Sequence, residues 1–138
     1  MSKAGLKTLR NKFKYPIGVN EPLSNPQNIL NFLKDDIADF YILDIYEAGG
    51  LLNFFNLSKT IVTSGKHVIC RAHGGTNLSY LTSLKVLSAV NSNLTTVPHQ
   101  CYELNDKNLI KWIPKVKKGV LNIDKDQNKY TYLSLIHI

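Results

Sequence analysis

The sequence predicts an α/β fold in which short parallel strands alternate with helices. Four short apolar runs, separated by about 26 residues, begin at Pro16, Phe40, His67 and Leu94. None of these runs alternates strictly between apolar and polar residues, which is typical of strands buried on both faces of a parallel sheet. The period indicates repeated strand–helix units, and it fits either an open doubly wound sheet or a barrel.

Helical patterns precede and separate these runs. The clearest begins with Ser24-Asn25-Pro26, a cap followed by a proline near the first helical position. The next is predicted to begin after Gly49-Gly50 and to end at Gly65, because glycine is favoured just past a helix end. Apolar residues at helical spacing support four helices: Leu6 and Leu9; Ile29, Leu30 and Leu33; Leu51, Leu52, Phe54 and Phe55; Leu78, Leu81, Leu84 and Leu87.

Length and composition are those of an ordinary globular domain. The chain has 138 residues, enough for one domain with a core, and 43% of them are hydrophobic and 20% charged. No apolar run has the length of a membrane span and no signal-peptide pattern opens the chain, so we expect a cytoplasmic protein without a membrane partner. Cys70 and Cys101 show no metal-binding spacing and are predicted to be reduced thiols.

The net charge of +7 raises the question of nucleic-acid binding. The lysines cluster towards the two ends of the chain, without the interleaved aromatic residues, arginine runs or zinc-finger spacing of a nucleic-acid footprint. We interpret them as a solvated face and expect no nucleic-acid partner, with RNA binding as a third hypothesis. Nucleotide binding has no support, because neither G-x-G-x-x-G nor G-x-x-x-x-G-K-[ST] occurs.

Polar residues stand where each apolar run ends. The first run leads to Asn20-Glu21, the second ends in Asp44, the third leads to His73, and the fourth leads to His99-Gln100. Each has a structural explanation; Asp44, for example, could simply accept hydrogen bonds from loop N–H groups. In a barrel, however, the carboxyl ends of the strands meet on the face that carries active sites. The four positions together therefore form a candidate site.

Three segments, in this order, resemble the C-terminal half of the barrel domain of the enolase superfamily: YPIGVNEPLSNPQNI, DFYILDIYEAGG and KHVICRAHGGTNLSYLTSLKVLSA. The closest pattern is that of the mandelate racemase subgroup with its acid-sugar dehydratases. The resemblance implies the C-terminal half of a TIM-type (β/α) barrel, about four parallel strands (strands five to eight) with intervening helices. We assign residues 1–123 to this partial domain and its return segment, leave 124–132 unassigned, and interpret 133–138 (LSLIHI) as a non-native tail derived from a sequencing adapter.

The resemblance also implies roles for individual residues. Glu21 or Asn20 occupies the position of a ligand to the essential Mg²⁺, Glu21 as in racemase-like members and Asn20 as in glucarate-dehydratase-like members. His73 resembles the catalytic histidine at the end of strand seven, and Asp44 resembles the strand-six aspartate that partners it. Substrate binding is assigned to Gly74, Asn77 and His99.

These residue types suit the chemistry that the resemblance implies. His73 would remove the proton beside the carboxylate of an acid sugar and, in a dehydratase, protonate the leaving hydroxyl group. Asp44 would fix the tautomer of the imidazole, and Mg²⁺ would stabilise the enediolate that forms. Racemase-like members also carry a glutamate near the end of strand eight, where this chain has Pro98-His99-Gln100.

A complete barrel needs eight strands and about 250 residues, so we expect a fragment of a dehydratase or racemase whose parent is a homo-oligomer. We expect the fragment alone to be inactive and marginally stable, because half a barrel leaves edge strands and interior side chains uncovered. A muconate-lactonising or dipeptide-epimerase type is less favoured, because those enzymes use lysines where this chain has His73. From another class, a flavodoxin-like binding module without catalysis stays open.

Overall fold

The computed structural model describes residues 3–20, 23, 25–71, 77–90, 116–118 and 120–121. Four helices and five strands lie in this part of the chain. Three strands form a parallel sheet in the order β1-β2-β3, and β4 and β5 form an antiparallel pair. The elements are α1 (Lys3–Lys12), β1 (Gly18–Val19), α2 (Pro26–Lys34), β2 (Phe40–Asp44), α3 (Leu51–Thr63), β3 (His67–Arg71), α4 (Asn77–Ala89), β4 (Val116–Lys117) and β5 (Val120–Leu121).

The strands of the parallel sheet confirm the apolar runs. β2 and β3 begin at the predicted residues, whereas β1 begins two residues after Pro16. Proline has no backbone N–H to donate, and the N–H of Ile17 bonds to the side chain of Asp39 (2.9 Å to Oδ2). The run that begins at Leu94 lies outside the described residues. The β4–β5 pair lies in a segment for which the sequence predicts no strand.

The ends of the helices confirm the local signals in the sequence. The side chain of Asn25 caps α2 by accepting a hydrogen bond from the N–H of Gln27 at 2.9 Å, and Pro26 is the first residue of that helix. α3 follows Gly50, whose φ of 103° is one that residues with a Cβ rarely adopt. The same helix ends shortly before Gly65, which has a φ of 75°.

The strand order distinguishes between two of the architectures that the sequence left open. Each strand pairs in parallel with the next one along the chain, and Phe40 is the partner of both Gly18 and His67. In a flavodoxin-like sheet the first strand lies between the second and the third. Consecutive parallel pairing is instead the arrangement of strands around a (β/α) barrel.

The two faces of the sheet differ in burial. The side chains of Tyr41, Leu43, Val68 and Cys70 are at most 2% exposed, and they belong to the core that the sheet forms with the helices. The residues between them in the sequence lie on the opposite face and are partly exposed: Phe40, Ile42, His67 and Ile69. Successive side chains of a strand point to opposite faces, so this second face corresponds to the interior of a barrel. We call it the inner face.

An ionic network joins the elements at the amino edge of the sheet, where the strands begin. The guanidinium group of Arg10 on α1 donates to both carboxylate oxygens of Asp39, at 2.7 and 2.9 Å. Asp36 pairs with Arg10 and with Lys66, which precedes β3. The hydrogen bonds from Arg10 lower the pKa of Asp39 to about 2, assisted by the N–H of Ile17 and opposed by burial.

Candidate active site at the carboxyl edge of the sheet

Three polar residues stand where the parallel strands end. Asn20 follows β1 directly, Asp44 is the last residue of β2, and Arg71 is the last residue of β3. Asp44 and Arg71 are partners in the strand register. Because the strands are parallel, all three lie at one edge of the sheet, the carboxyl edge. Asn20 and Asp44 were predicted from the sequence to lie there, whereas Arg71 was not among the predicted site residues.

Neighbouring contacts place this row of residues on the inner face. A Cβ atom added to Gly18 would lie 3.7 Å from Cβ of Phe40 and 4.0 Å from Cδ1 of Ile42, so these residues face the same way. The rings of Phe40 and His67 stack with their centroids 5.2 Å apart. By the two-residue period of a strand, Asp44 continues the row of Phe40 and Ile42, and Arg71 continues the row of His67.

The carboxylate of Asp44 is buried and held by the turn that follows it. The residue is 4% exposed, and its Oδ1 accepts a hydrogen bond of 2.7 Å from the N–H of Tyr46. The turn closes with hydrogen bonds from the N–H of Ala48 to the carbonyl of Asp44 and from the N–H of Gly50 to that of Ile45. Among the described residues this turn supplies the one hydrogen bond to the carboxylate, through Oδ1, which is the bond that the structural explanation of Asp44 predicted.

Arg71 connects the first and third strands across the second. Its Nη1 donates to Oδ1 of Asn20 at 2.8 Å and lies 3.7 Å from Oε1 of Glu47. β1 and β3 are separated by β2, and two strand spacings amount to roughly 10 Å. The arginine side chain therefore reaches over the end of β2. Only 13% of it is exposed, so the guanidinium group is a largely buried cation.

Cys70, next to Arg71, does not belong to this site. Its side chain is fully buried on the helix side of the sheet. Burial raises the pKa of the thiol to about 12, so the thiol stays protonated at neutral pH. A protonated, buried thiol is a weak nucleophile and a poor metal ligand, and Cys70 is a free cysteine, as the prediction of a reduced thiol requires.

The other predicted site residues fall largely outside the described part of the chain. Glu21, His73, Gly74 and His99 lie outside it, and Asn77 is described only as the first residue of α4. The structure thus brings Asn20 and Asp44 to one edge, and of the two residues of the predicted dyad the described part of the chain includes Asp44. Within the described ranges, no three His, Cys, Asp or Glu residues cluster as a metal site would require.

Two residues of this edge were missed from the sequence, Arg71 and Glu47. For Arg71 a signal was present: it ends an apolar run and stands two and four residues after Ile69 and His67, so the strand period puts it on the inner face. Glu47 gave no such signal, because its position depends on the turn after β2.

In the described part of the chain, no helix combines the length and the apolar character of a membrane span.

The fold and this edge define a segment of a (β/α) barrel with polar residues at the carboxyl ends of its strands. A profile of the family described as enolase C-terminal domain-like matches residues 1–127, and the chain belongs to that family. No protein in a set with curated functions matches the sequence. Family membership confirms the resemblance of the three sequence segments and the (β/α) barrel fold.

Several solved structures share the fold of this chain. A 2-chloromuconate cycloisomerase from Rhodococcus opacus superposes with a TM-score of 0.77 at 18% identity, over 88% of this chain and 34% of that one. A mandelate racemase/muconate lactonizing enzyme from Roseovarius nubinhibens gives 0.74 at 14% identity, over 90% and 34%. An enolase from Pseudomonas fluorescens, solved with bound magnesium, potassium and tartrate, gives 0.68 at 19% identity, over 80% and 26%. The chain thus spans about a third of these proteins or less.

Proposed function

We propose that this chain is part of a Mg²⁺-dependent acid-sugar dehydratase, in which His73 removes the proton beside the substrate carboxylate and Asp44 orients His73. The observation that carries the proposal is the buried carboxylate of Asp44 at the carboxyl edge, with Oδ1 fixed by the N–H of Tyr46. A carboxylate held in this way is suited to accept the N–H of an imidazole on its other oxygen. It would thereby fix the tautomer that leaves the second ring nitrogen free to act as a base.

Of the two candidate metal ligands, Glu21 suits the role better than Asn20. Oδ1 of Asn20 accepts a hydrogen bond from the guanidinium group of Arg71, so a metal ion on that oxygen would stand beside a second cation. Glu21 offers a carboxylate oxygen, which Mg²⁺ prefers. When bound, the metal would supply positive charge where negative charge develops on the substrate. We therefore assign the ligand to Glu21 and treat Asn20 as a partner of Arg71.

The test requires the full-length protein that carries this segment, because we place the remaining catalytic groups in the part of the barrel that the chain does not span. Acid sugars are incubated with the enzyme in D₂O, and ¹H NMR follows the α-proton and the dehydrated product. Asp44→Asn should lower kcat by about 100-fold or more, because general acid–base catalysis contributes that much. Asp35→Asn, at an exposed ion pair of the loop after α2, is the matched control.

Metal dependence is tested on the same enzyme. Removal of divalent cations with EDTA should abolish product formation, and added Mg²⁺ should restore it. Glu21→Gln should raise the Mg²⁺ concentration needed for half-maximal activity, whereas Asn20→Ser should leave it nearly unchanged. Full activity of Asp44→Asn, or activity that persists in EDTA, would contradict the proposed function.

A racemase or cycloisomerase of the same family is the second candidate. It shares the first step, removal of a proton beside a carboxylate, and the D₂O assay separates the outcomes. A dehydratase yields a product that has lost water. A racemase exchanges the α-proton of the substrate for deuterium and leaves the rest of its composition unchanged. A cycloisomerase should give neither outcome with acid sugars.

A further inference from the structure

We propose that Arg71 binds a second carboxylate of the substrate, and hence that the substrate class is the dicarboxylic acid sugars. The inference rests on the proposed function, because it assumes a substrate whose first carboxylate lies beside the reacting carbon. It also uses a feature that the proposed chemistry leaves unexplained, a buried guanidinium group at the centre of the carboxyl edge.

The position of Arg71 suits a substrate-binding group. It ends β3 on the inner face, and its side chain reaches over the end of β2 to Asn20 on the far side. The guanidinium group therefore lies across the edge at which Asp44 ends its strand. In the sequence, Arg71 stands two residues before His73. In a barrel this region is the mouth into which substrate descends.

The charge of Arg71 is only weakly balanced by the described residues. Its hydrogen-bond partner Asn20 is neutral, and the carboxylate of Glu47 is 3.7 Å away with its side chain 36% exposed. A buried charge is costly unless it is paired at close range. Glu21, the next carboxylate in the sequence, is assigned to the metal under the proposed function. A substrate that brings its own second negative charge would complete the pairing.

The geometry of an arginine also suits this ligand. Its planar fork of N–H donors matches the two oxygens of a carboxylate, so that two parallel hydrogen bonds form. Arg10 shows this pairing elsewhere in the chain, with Asp39 as the carboxylate. Asn20, which holds Nη1, would set the plane of the guanidinium group and leave the remaining donors directed towards the ligand. Asn20 is thus a positioning residue for the second carboxylate.

The experiment compares two four-carbon acids that differ at one end. Tartrate carries two carboxylates, and threonate carries a hydroxymethyl group in place of one. The sequence contains only two arginines, Arg10 and Arg71, so the arginine Nε–Hε region of an NMR spectrum of the labelled chain holds two signals. Both acids are titrated into the 138-residue chain in EDTA, so that binding is measured without metal and without turnover.

Tartrate should shift the Arg71 signal saturably, at a concentration about ten-fold lower than threonate requires, because the second carboxylate forms the bidentate pair. The Arg10 signal should stay in place, which makes it the internal control for folding and for ionic strength. Arg71→Lys and Arg71→Met lack the Arg71 signal, so their binding is followed by the broadening of the ¹H signals of the acids themselves. Arg71→Lys should bind tartrate and threonate about equally, because a lysine is a point charge without the fork. Arg71→Met should broaden the signals of neither acid, with the Arg10 signal unchanged.

Equal shifts by the two acids, or a parallel shift of Arg10, would overturn the proposal. The outcomes separate this inference from the proposed function. If Arg71 prefers tartrate and the Asp44→Asn enzyme is fully active, the carboxylate-binding role of Arg71 is supported and the proposed dyad is refuted. If Asp44→Asn loses activity and Arg71 shows no preference for tartrate, the dyad is supported and the carboxylate-binding role of Arg71 is refuted.

Discussion

The two edges of the parallel sheet each hold one of the two arginines of the chain, and the two arginines are paired differently. At the amino edge Arg10 forms a bidentate pair with Asp39 and also contacts Asp36. At the carboxyl edge Arg71 donates a hydrogen bond to the neutral amide of Asn20, and the carboxylate of Glu47 lies 3.7 Å away. Both guanidinium groups are largely buried, with side chains 22% and 13% exposed.

The difference indicates a division of roles between the edges. The amino edge has its charges matched within the chain, so its ion pairs join α1 to the strands and stabilise the fold. Among the described residues, the carboxyl edge leaves a largely buried cation incompletely balanced and a buried carboxylate fixed by a turn, an arrangement that costs stability unless a further charge completes it. In (β/α) barrels the bottom of the strands serves stability and the top serves catalysis. The predictions below test that division.

The largest effect is expected at the amino edge. Asp39→Ala removes the bidentate partner of Arg10 and the acceptor for the N–H of Ile17, and should lower the free energy of unfolding by about 3 kcal/mol. Urea unfolding of the full-length protein that carries this segment measures the change. Asp35→Ala, which removes the partner of Lys3, a lysine whose side chain is 47% exposed, is the control and should change stability far less. Equal losses in the two variants would contradict the assignment.

Acid should weaken the same edge. The pKa of Asp39 is lowered in the folded chain to about 2, below its value of about 3.9 in an unfolded chain. A carboxyl group with a depressed folded pKa stabilises the fold above its unfolded pKa, and that contribution is lost as pH falls through the folded pKa. Stability should therefore decrease between about pH 4 and pH 2. In Asp39→Asn this decrease should be smaller, as measured by urea unfolding at each pH.

A smaller effect is expected from Asn20 at the carboxyl edge. Asn20→Ala removes the acceptor of the 2.8 Å hydrogen bond from Arg71 and should cost about 1 kcal/mol. Asn31→Ala on the exposed side of α2 is the matched control and should cost nothing, because alanine is the better helix former. A loss at Asn20 as large as that at Asp39 would show that the carboxyl edge also carries the fold.

The sequence predicted the elements more fully than the contacts between them. Spacing and local signals such as Asn25, Pro26 and Gly65 were enough for the helices and for the strands that begin at Phe40 and His67, because caps and apolar periods act over a few residues. Asp44 could be assigned to the carboxyl edge for the same reason. The reach of Arg71 to Asn20 could not, because it joins residues that are distant in the sequence and depends on strand order and on rotamers. The pairing of Arg10 with Asp39 was missed for the same reason.

The division between the edges is tested most directly by making one substitution at both arginines. Methionine keeps most of the side-chain volume and removes the charge, so Arg10→Met and Arg71→Met differ in their surroundings alone. Urea unfolding should show a loss of about 2 kcal/mol for Arg10→Met, which leaves the half-buried carboxylate of Asp39 without its bidentate partner. Arg71→Met should change stability by less than about 0.5 kcal/mol or increase it, because the loss of the hydrogen bond to Asn20 is offset by removal of a largely buried charge that the described residues pair incompletely. Equal losses, or a larger loss at Arg71, would show that Arg71 is a structural ion pair and would contradict the assignment of the carboxyl edge to function.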